Sequence, residues 1–257
     1  MLSNRKNKPI YSIIAIMLFL GIWQISSMLV ANDLFLPSAI DVATSFIKSF
    51  VSPIGRETMP IHIISSLYRV LVGFSLSLLV GILLGVGMGF SKTIESIFYP
   101  IFEFIRPIPP LAWIPMSIIW FGLSDMSKFF IIFLGSFSFV TLNTYEGTKN
   151  VDKELIGAAL MLGASKTQVF FKVVLPASVP DIFAGIQIGV TSAWSSVVGA
   201  EMVRSDNGVG WIIVRGMNKG DTIQIMVGML AIGLVGFLLV QLTSFIERRL
   251  LVWNNKN

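Results

Sequence analysis

Residues 157–176 read GAALMLGASKTQVFFKVVLP, an amphipathic stretch with Lys149, Lys153, Lys166 and Lys172 in and around it, set in a chain otherwise made of long apolar runs. Lysines inside hydrocarbon are expensive. A segment of this kind therefore belongs between spans, outside the lipid core. Its small residues and Gly163 suit two short helices joined by a sharp turn, because glycine tolerates backbone conformations closed to other residues.

Composition fixes the surroundings. Of 257 residues, 54% are hydrophobic and 13% charged, whereas soluble domains carry roughly a quarter charged. Apolar runs of about 20 residues recur along the chain, the length a helix needs to cross a bilayer core of about 30 Å. In lipid the backbone must satisfy itself as helices or closed barrels, and these runs are too long for barrel strands. The expected fold class is an all-α membrane protein with about six transmembrane helices, forming one domain over residues 1–257.

The spans are placed at 10–31, 61–90, 94–121, 128–145, 179–202 and 222–246. The first follows a basic flank, as a secretory leader would, but its apolar run continues to Val30 without a small-residue cleavage site, so it reads as a retained span. Between the first two spans, LPSAIDVATSFIKSF carries Pro37 and Ser38 at the opening of a short helix suited to the membrane surface. The third is abnormal: IFYPIFEFIRPIPPLAWIP contains Pro100, Pro107, Pro109, Pro110 and Pro115. Each proline removes a backbone donor, so the helix is expected to break near 107–110. A broken helix at membrane depth survives where protein or water satisfies the freed groups, which fits a substrate path as well as a kinked packing helix.

Basic residues set the sides. With the N-terminus inside, Arg5, Lys6, Lys8, Lys92, Lys149, Lys153, Lys166, Lys172, Arg248, Arg249 and Lys256 fall on the cytoplasmic side, and Lys48, Arg56, Lys128, Arg204, Arg215 and Lys219 on the other, eleven against six. Both termini and the segment 150–177 are then cytoplasmic. The charge of +5 follows this topology and forms no basic-aromatic patch, so no nucleic-acid partner is expected.

Cysteine is absent and His62 is the one histidine, which leaves no thiolate or histidine cluster for a metal and little for an enzyme's acid, base or nucleophile. GASKT at 163–167 imitates the end of a phosphate-binding loop, but Leu160 and Ser165 stand where both glycines must be. Any ATP hydrolysis has to come from another chain.

The stretch 157–176 also carries a family pattern. ATP-binding-cassette (ABC) importer permeases have a cytoplasmic signature, EAA, three residues, G, nine residues, I-x-L-P, and Ala158, Ala159, Gly163, Val173, Leu175 and Pro176 fall on it. Gly157 departs from it, standing where the family often has glutamate. LPSAIDV, SSLYRVLVGF, RPIPPLAWIPMSIIWFG, LNTYEGTKNVD and SAWSSVVGAEMV extend the resemblance to permeases of the nitrate, sulfonate, taurine and bicarbonate group.

The resemblance implies a MetI-like (type I) permease fold with a core at 61–246. It implies that 150–177, through Gly157, Ala158, Ala159, Gly163, Ala164, Val173, Leu175 and Pro176, forms a coupling helix docking on a separate ATPase. An amphipathic helix lying on lipid is the plainer alternative. It further implies a second copy of the chain, an extracytoplasmic substrate-binding protein, a bacterial plasma-membrane location, and no cofactor in this chain, ATP being used by the partner. The substrate, whether nitrate, taurine, alkanesulfonate, bicarbonate or a neutral heterocycle, stays open, and an ion-coupled secondary transporter is the rival class.

Intramembrane polar residues mark candidate sites. Arg69 either faces a shared cavity, where a guanidinium suits an oxyanion, or the headgroups. Arg106 either lines the path or neutralises Glu103 at i, i+3. Gln187, Thr191, Ser195 and Ser196 either line the path or join helices. Glu201 either closes the outer mouth, by pairing with Arg204, Arg215 or the facing subunit, or caps backbone donors. Glycines at 81, 85 and 89, and at 185 and 189, allow close crossing within the subunit or between two copies.

Overall fold

The structure, a computed structural model, describes residues 8–203 and 205–251. Arg5, Lys6, Arg204 and Lys256, used above to assign sides, lie outside them. The order is α1 (Lys8–Val30), α2 (Ala39–Lys48), α3 (Met59–Phe90), α4 (Lys92–Ile105), α5 (Ile114–Phe121), α6 (Asp125–Lys149), α7 (Lys153–Met161), α8 (Lys166–Val169), α9 (Leu175–Val203), α10 (Val209–Lys219) and α11 (Thr222–Leu250). Among the described residues, five stretches are long and apolar enough to cross a membrane: α1, α3, α6, α9 with the residues from Lys166 leading into it, and α11. The sixth expected span is α4 followed by the segment Pro110–Phe121, and the two halves meet at 88°.

The break falls where the prolines require it. α4 is capped at Arg106, Pro107, Pro109 and Pro110 supply no N–H, and a 3₁₀ turn at Pro110–Trp113 starts the second half. Pro115 is harmless in the first turn of α5, where no intrahelical donor is needed. α4 nonetheless runs through Pro100.

α6 is the central helix, with α3 on one flank and α9 on the other. Glycine makes both crossings close. A Cβ on Gly85 would fall 2.7 Å from the Thr141 carbonyl oxygen, and one on Gly89 2.6 Å from Thr148 Cβ. On the α9 side a Cβ on Gly185 would lie 2.9 Å from Asn143 Cβ. These glycines pack helices within one subunit, the backbones meeting where a side chain would hold them apart. Trp194 Nε1 donates to the Ile232 carbonyl (3.0 Å) and ties α9 to α11. By contrast α1 shows its apolar side chains along nearly its whole length, as a lipid-facing helix would.

α2 forms where Pro37 and Ser38 place it: Ser38 Oγ accepts from the Asp41 N–H at 3.0 Å. α10 was not foreseen. It is bracketed by Gly208 (φ 109°) and Gly220 (φ 67°), which start and stop it in conformations that favour glycine.

Candidate functional site

The segment 150–177 folds as helix, turn, helix. Asp152 caps α7 by accepting from the Glu154 N–H at 2.8 Å. The turn closes with Ala164 N–H to the Ala159 carbonyl and Gly163 N–H to the Leu160 carbonyl, both 3.0 Å, with Gly163 at φ 82°. That double bond pattern needs a left-handed residue at its centre, the reason for glycine at 163. Ser165 then opens α8 with a capping box: its hydroxyl accepts from the Gln168 N–H while Gln168 Oε1 accepts from its own N–H. A π-turn at Phe170–Val174 feeds directly into α9, so the second helix of the motif and the fifth span are one continuous body.

The small residues divide. Ala159, Ala164 and Val173 turn inward onto a small core of Val151, Val169 and Val174, while Ala158, Gly163 and Pro176 remain exposed. Nothing lies within 4 Å of where a Cβ on Gly157 or Gly163 would sit. The exposed surface is therefore narrower than the eight residues that the resemblance implies. It is completed by Met161 (87% exposed) and Leu162 (89% exposed), two apolar side chains that spacing alone did not single out.

At the opposite end of the bundle, where α3 and α6 begin and α9 ends, charge is buried. Arg69 (5% exposed) donates through Nη1 to Glu201 Oε1 (2.7 Å), through Nε to Asp125 Oδ1 (2.9 Å) and through Nη2 to Asn207 Oδ1 (2.6 Å). Glu201 (1% exposed) also accepts from Ser66 Oγ (2.8 Å) and from the Gly210 N–H (3.0 Å). Lys128, expected at the outer end of the fourth span, lies in the first turn of α6 and pairs with Asp125 at 2.9 Å. His62 accepts the Gly208 N–H on Nδ1 (3.1 Å), which leaves Nε2 to donate to the Ile54 carbonyl (3.0 Å) and makes the ring the neutral Nε2–H form.

Two expectations change here. Arg69 is committed to carboxylates and an amide of its own chain and faces neither the cavity below nor the headgroups as a free cation. Glu201 pairs with Arg69 rather than with Arg215, which stacks on Trp211 at 5.2 Å; Arg204 lies outside the described residues. The sequence did hold a signal, since His62, Ser66 and Arg69 recur at i, i+4 and i+7 on one face of α3.

Between these ends, the break after α4 opens a cavity of about 440 Å³ lined by residues 106–110, by Leu134, Gly135, Ser138, Phe139 and Leu142 of α6, and by Ser192 of α9. Arg106 lines it while pairing with Glu103 at 3.0 Å, and both side chains are partly exposed. Ser192, not among the expected path residues, donates to the Gly135 carbonyl at 2.6 Å. Thr191 and Ser195 are exposed with hydroxyls returned to their own helix, and Ser196 is buried against Gly135. Gln187 donates to Glu247 of α11 and so joins helices.

Residues 77–251 match the family model described as the binding-protein-dependent transport system inner membrane component. A putative ABC transporter permease of Methanocaldococcus jannaschii is 40% identical over 233 residues, 90% of this chain and 87% of its own. The taurine transport system permease TauC of Escherichia coli K12 is 34% identical over 91% of this chain and 86% of its own. The nitrate import permease NrtB of Synechocystis is 34% identical over 93% and 88%. Among solved structures, the inward-facing MetNI methionine ABC transporter superimposes with a TM-score of 0.62 at 18% identity, covering 72% of this chain and 92% of that one, a likeness of fold. The chain belongs to the binding-protein-dependent transport system inner membrane components, the permease subunits of ABC importers, whose ATPase is a separate chain.

Proposed function

We propose that two copies of this chain form the path for a small solute bearing an oxyanion, of the sulfonate, taurine or nitrate kind, and that the path opens alternately to either side as partner ATPases close on ATP. The observation that carries this reading is the cavity at the break between α4 and α5, roomy enough for such a solute and lined by Arg106, whose guanidinium matches oxyanion geometry. Ser192 of α9 and Ser138 of α6 add hydroxyls to the same wall. Residues 153–176, with Met161 and Leu162 outward, dock on the ATPase, and the Arg69–Glu201 pair fastens the far mouth of each subunit. A substrate-binding protein delivers the solute to that mouth. A neutral solute would use the same route and leave the Arg106–Glu103 pair undisturbed.

The orientation, with both termini and the coupling loop in the cytoplasm, rests on the basic-residue bias. Because the chain has no cysteine, single thiols at Ser165 and Asp206 report sides without background: Ser165→Cys is to be labelled only from the cytoplasm and Asp206→Cys only from outside. Function is tested by uptake of labelled taurine, ethanesulfonate and nitrate into vesicles holding the permease, its ATPase and its binding protein. ATP-dependent uptake that falls in Arg106→Gln supports the reading. Uptake driven by an ion gradient without the ATPase overturns it.

A further inference from the structure

α4, the first half of the bent span, rests mainly on α3 and meets α6 through a few side chains. Phe102 meets Phe137 edge-on at 6.1 Å and Tyr99 lies against Tyr145 at 5.1 Å. At the coupling-loop end the contact is polar and three-cornered. Glu95 Oε1 accepts from Lys149 Nζ (2.7 Å) and from the Tyr145 hydroxyl (2.5 Å), and Lys149 Nζ also donates to the Tyr145 oxygen (2.5 Å). Lys149 is the last residue of α6, and α7, the first helix of the coupling loop, begins at Lys153. Glu95 stands in the first turn of α4, whose C-cap is Arg106 at the cavity. At 1.5 Å per residue, α4 bridges the two over about 16 Å.

A carboxylate in a first turn and an ammonium in a last turn each suit the helix dipole. That accounts for the two charges singly. It does not account for their meeting across 54 residues of sequence, with a phenol from α6 held between them.

We propose that Glu95, Tyr145 and Lys149 form a clasp that carries displacement of the coupling loop into the bent span, making them positioning residues for transport. The geometry is that of a linkage: the stem of the loop is gripped by the near end of a helix whose far end holds Arg106 at the cavity. Without the clasp, the direct contact of α6 with α4 is reduced to aromatic contacts that can slide, and α4 is left to follow α3 alone. The proposal rests on the reading of residues 153–176 as the ATPase-docking loop.

The test uses the complete permease–ATPase complex in nanodiscs and needs no substrate. A spin label on a thiol introduced at Ser165 reports the coupling loop, and one at Ser96, exposed in the first turns of α4, reports the bent span, each as the distance between the two copies. In the otherwise unaltered chain both distances are expected to shift when ATP is trapped with vanadate. In Glu95→Gln and in Lys149→Met the Ser165 shift is expected to persist and the Ser96 shift to be lost. The exchange Glu95→Lys with Lys149→Glu is expected to restore it. A Ser96 shift that is undiminished in both single variants, or a loss that the exchange leaves unrepaired, overturns the clasp while leaving the docking reading intact. Absence of a Ser165 shift in the unaltered complex overturns the docking reading, and the clasp with it.

Discussion

At the end of the bundle where α3 and α6 begin, Arg69 and Glu201 are sunk in protein and matched: Arg69 donates to Glu201, to the partly exposed Asp125 and to Asn207, each within 3 Å. At the end where α6 gives way to α7, apolar groups stand in the open, with Met161 and Leu162 facing outward above a core of only three buried valines. At the first end Arg69 and Glu201 find their partners inside one subunit. The second satisfies its backbone through caps and a glycine turn but leaves its apolar surface without a cover. The difference separates a region built to hold from a region built to receive.

If that contrast is right, substitutions at the first end lower the stability of the isolated permease, and those at the second are felt in the complex. The largest loss is expected for Glu201→Gln. It removes a buried partner of Arg69 and sets an amide against donors from Arg69, Ser66 and Gly210, a change that costs about 3–5 kcal/mol when one side of a buried pair is stranded. Heat unfolding in detergent, followed by helical circular dichroism, is to show a clearly lower midpoint; an unchanged midpoint would mean that this end is not complete in one subunit. Between the two ends, Gly85→Val drives side-chain carbon into Thr141 and Thr144, and overpacking of this kind costs about 1–3 kcal/mol by the same measurement. Gly163→Asp comes next, with about 1–2 kcal/mol of left-handed backbone strain. Yet it is expected to abolish ATPase co-purification and uptake, since a charge then occupies the docking turn. The smallest effect on the isolated subunit belongs to Leu162→Glu, within about 0.5 kcal/mol for an exposed site. The same change is expected to weaken ATPase binding by about 1.5–3 kcal/mol, roughly tenfold to a hundredfold, if Leu162 is buried on docking. Equal affinity for the ATPase in that variant would erase the contrast.

The two ends also differed in how far sequence could read them. The helix–turn–helix of residues 153–176 was legible because its information is local: Gly163 and the alanines act within a few residues of one another, although the capping box of Ser165 and Gln168 went unread. The break after α4 was legible for the same reason, since proline acts on its own turn. The buried network was not. Arg69 finds Glu201 across 132 residues and Asp125 across 56, and nothing short of the packed helices decides which carboxylate a guanidinium will meet. α10 escaped because its eleven residues are too short for a span, and its glycine brackets resemble those of any loop. Met161 and Leu162 were passed over because apolar residues are unremarkable in such a chain; their meaning comes from exposure at a place where lipid is not expected.

The glycine crossings on either side of α6 bear on what the transport cycle is free to do. Where a glycine backbone touches the carbonyls and Cβ atoms of the next helix directly, there is little soft layer to shear, and sliding one helix past the other would drive Thr144 or Thr148 into a chain with no gap to take it. α3, α6 and α9 therefore have to travel as a single slab. Motion is left to the hinges around that slab, namely the bend after α4 and the lightly packed first helix, so a cycling transporter of this build would tilt whole slabs against each other rather than remodel their interior.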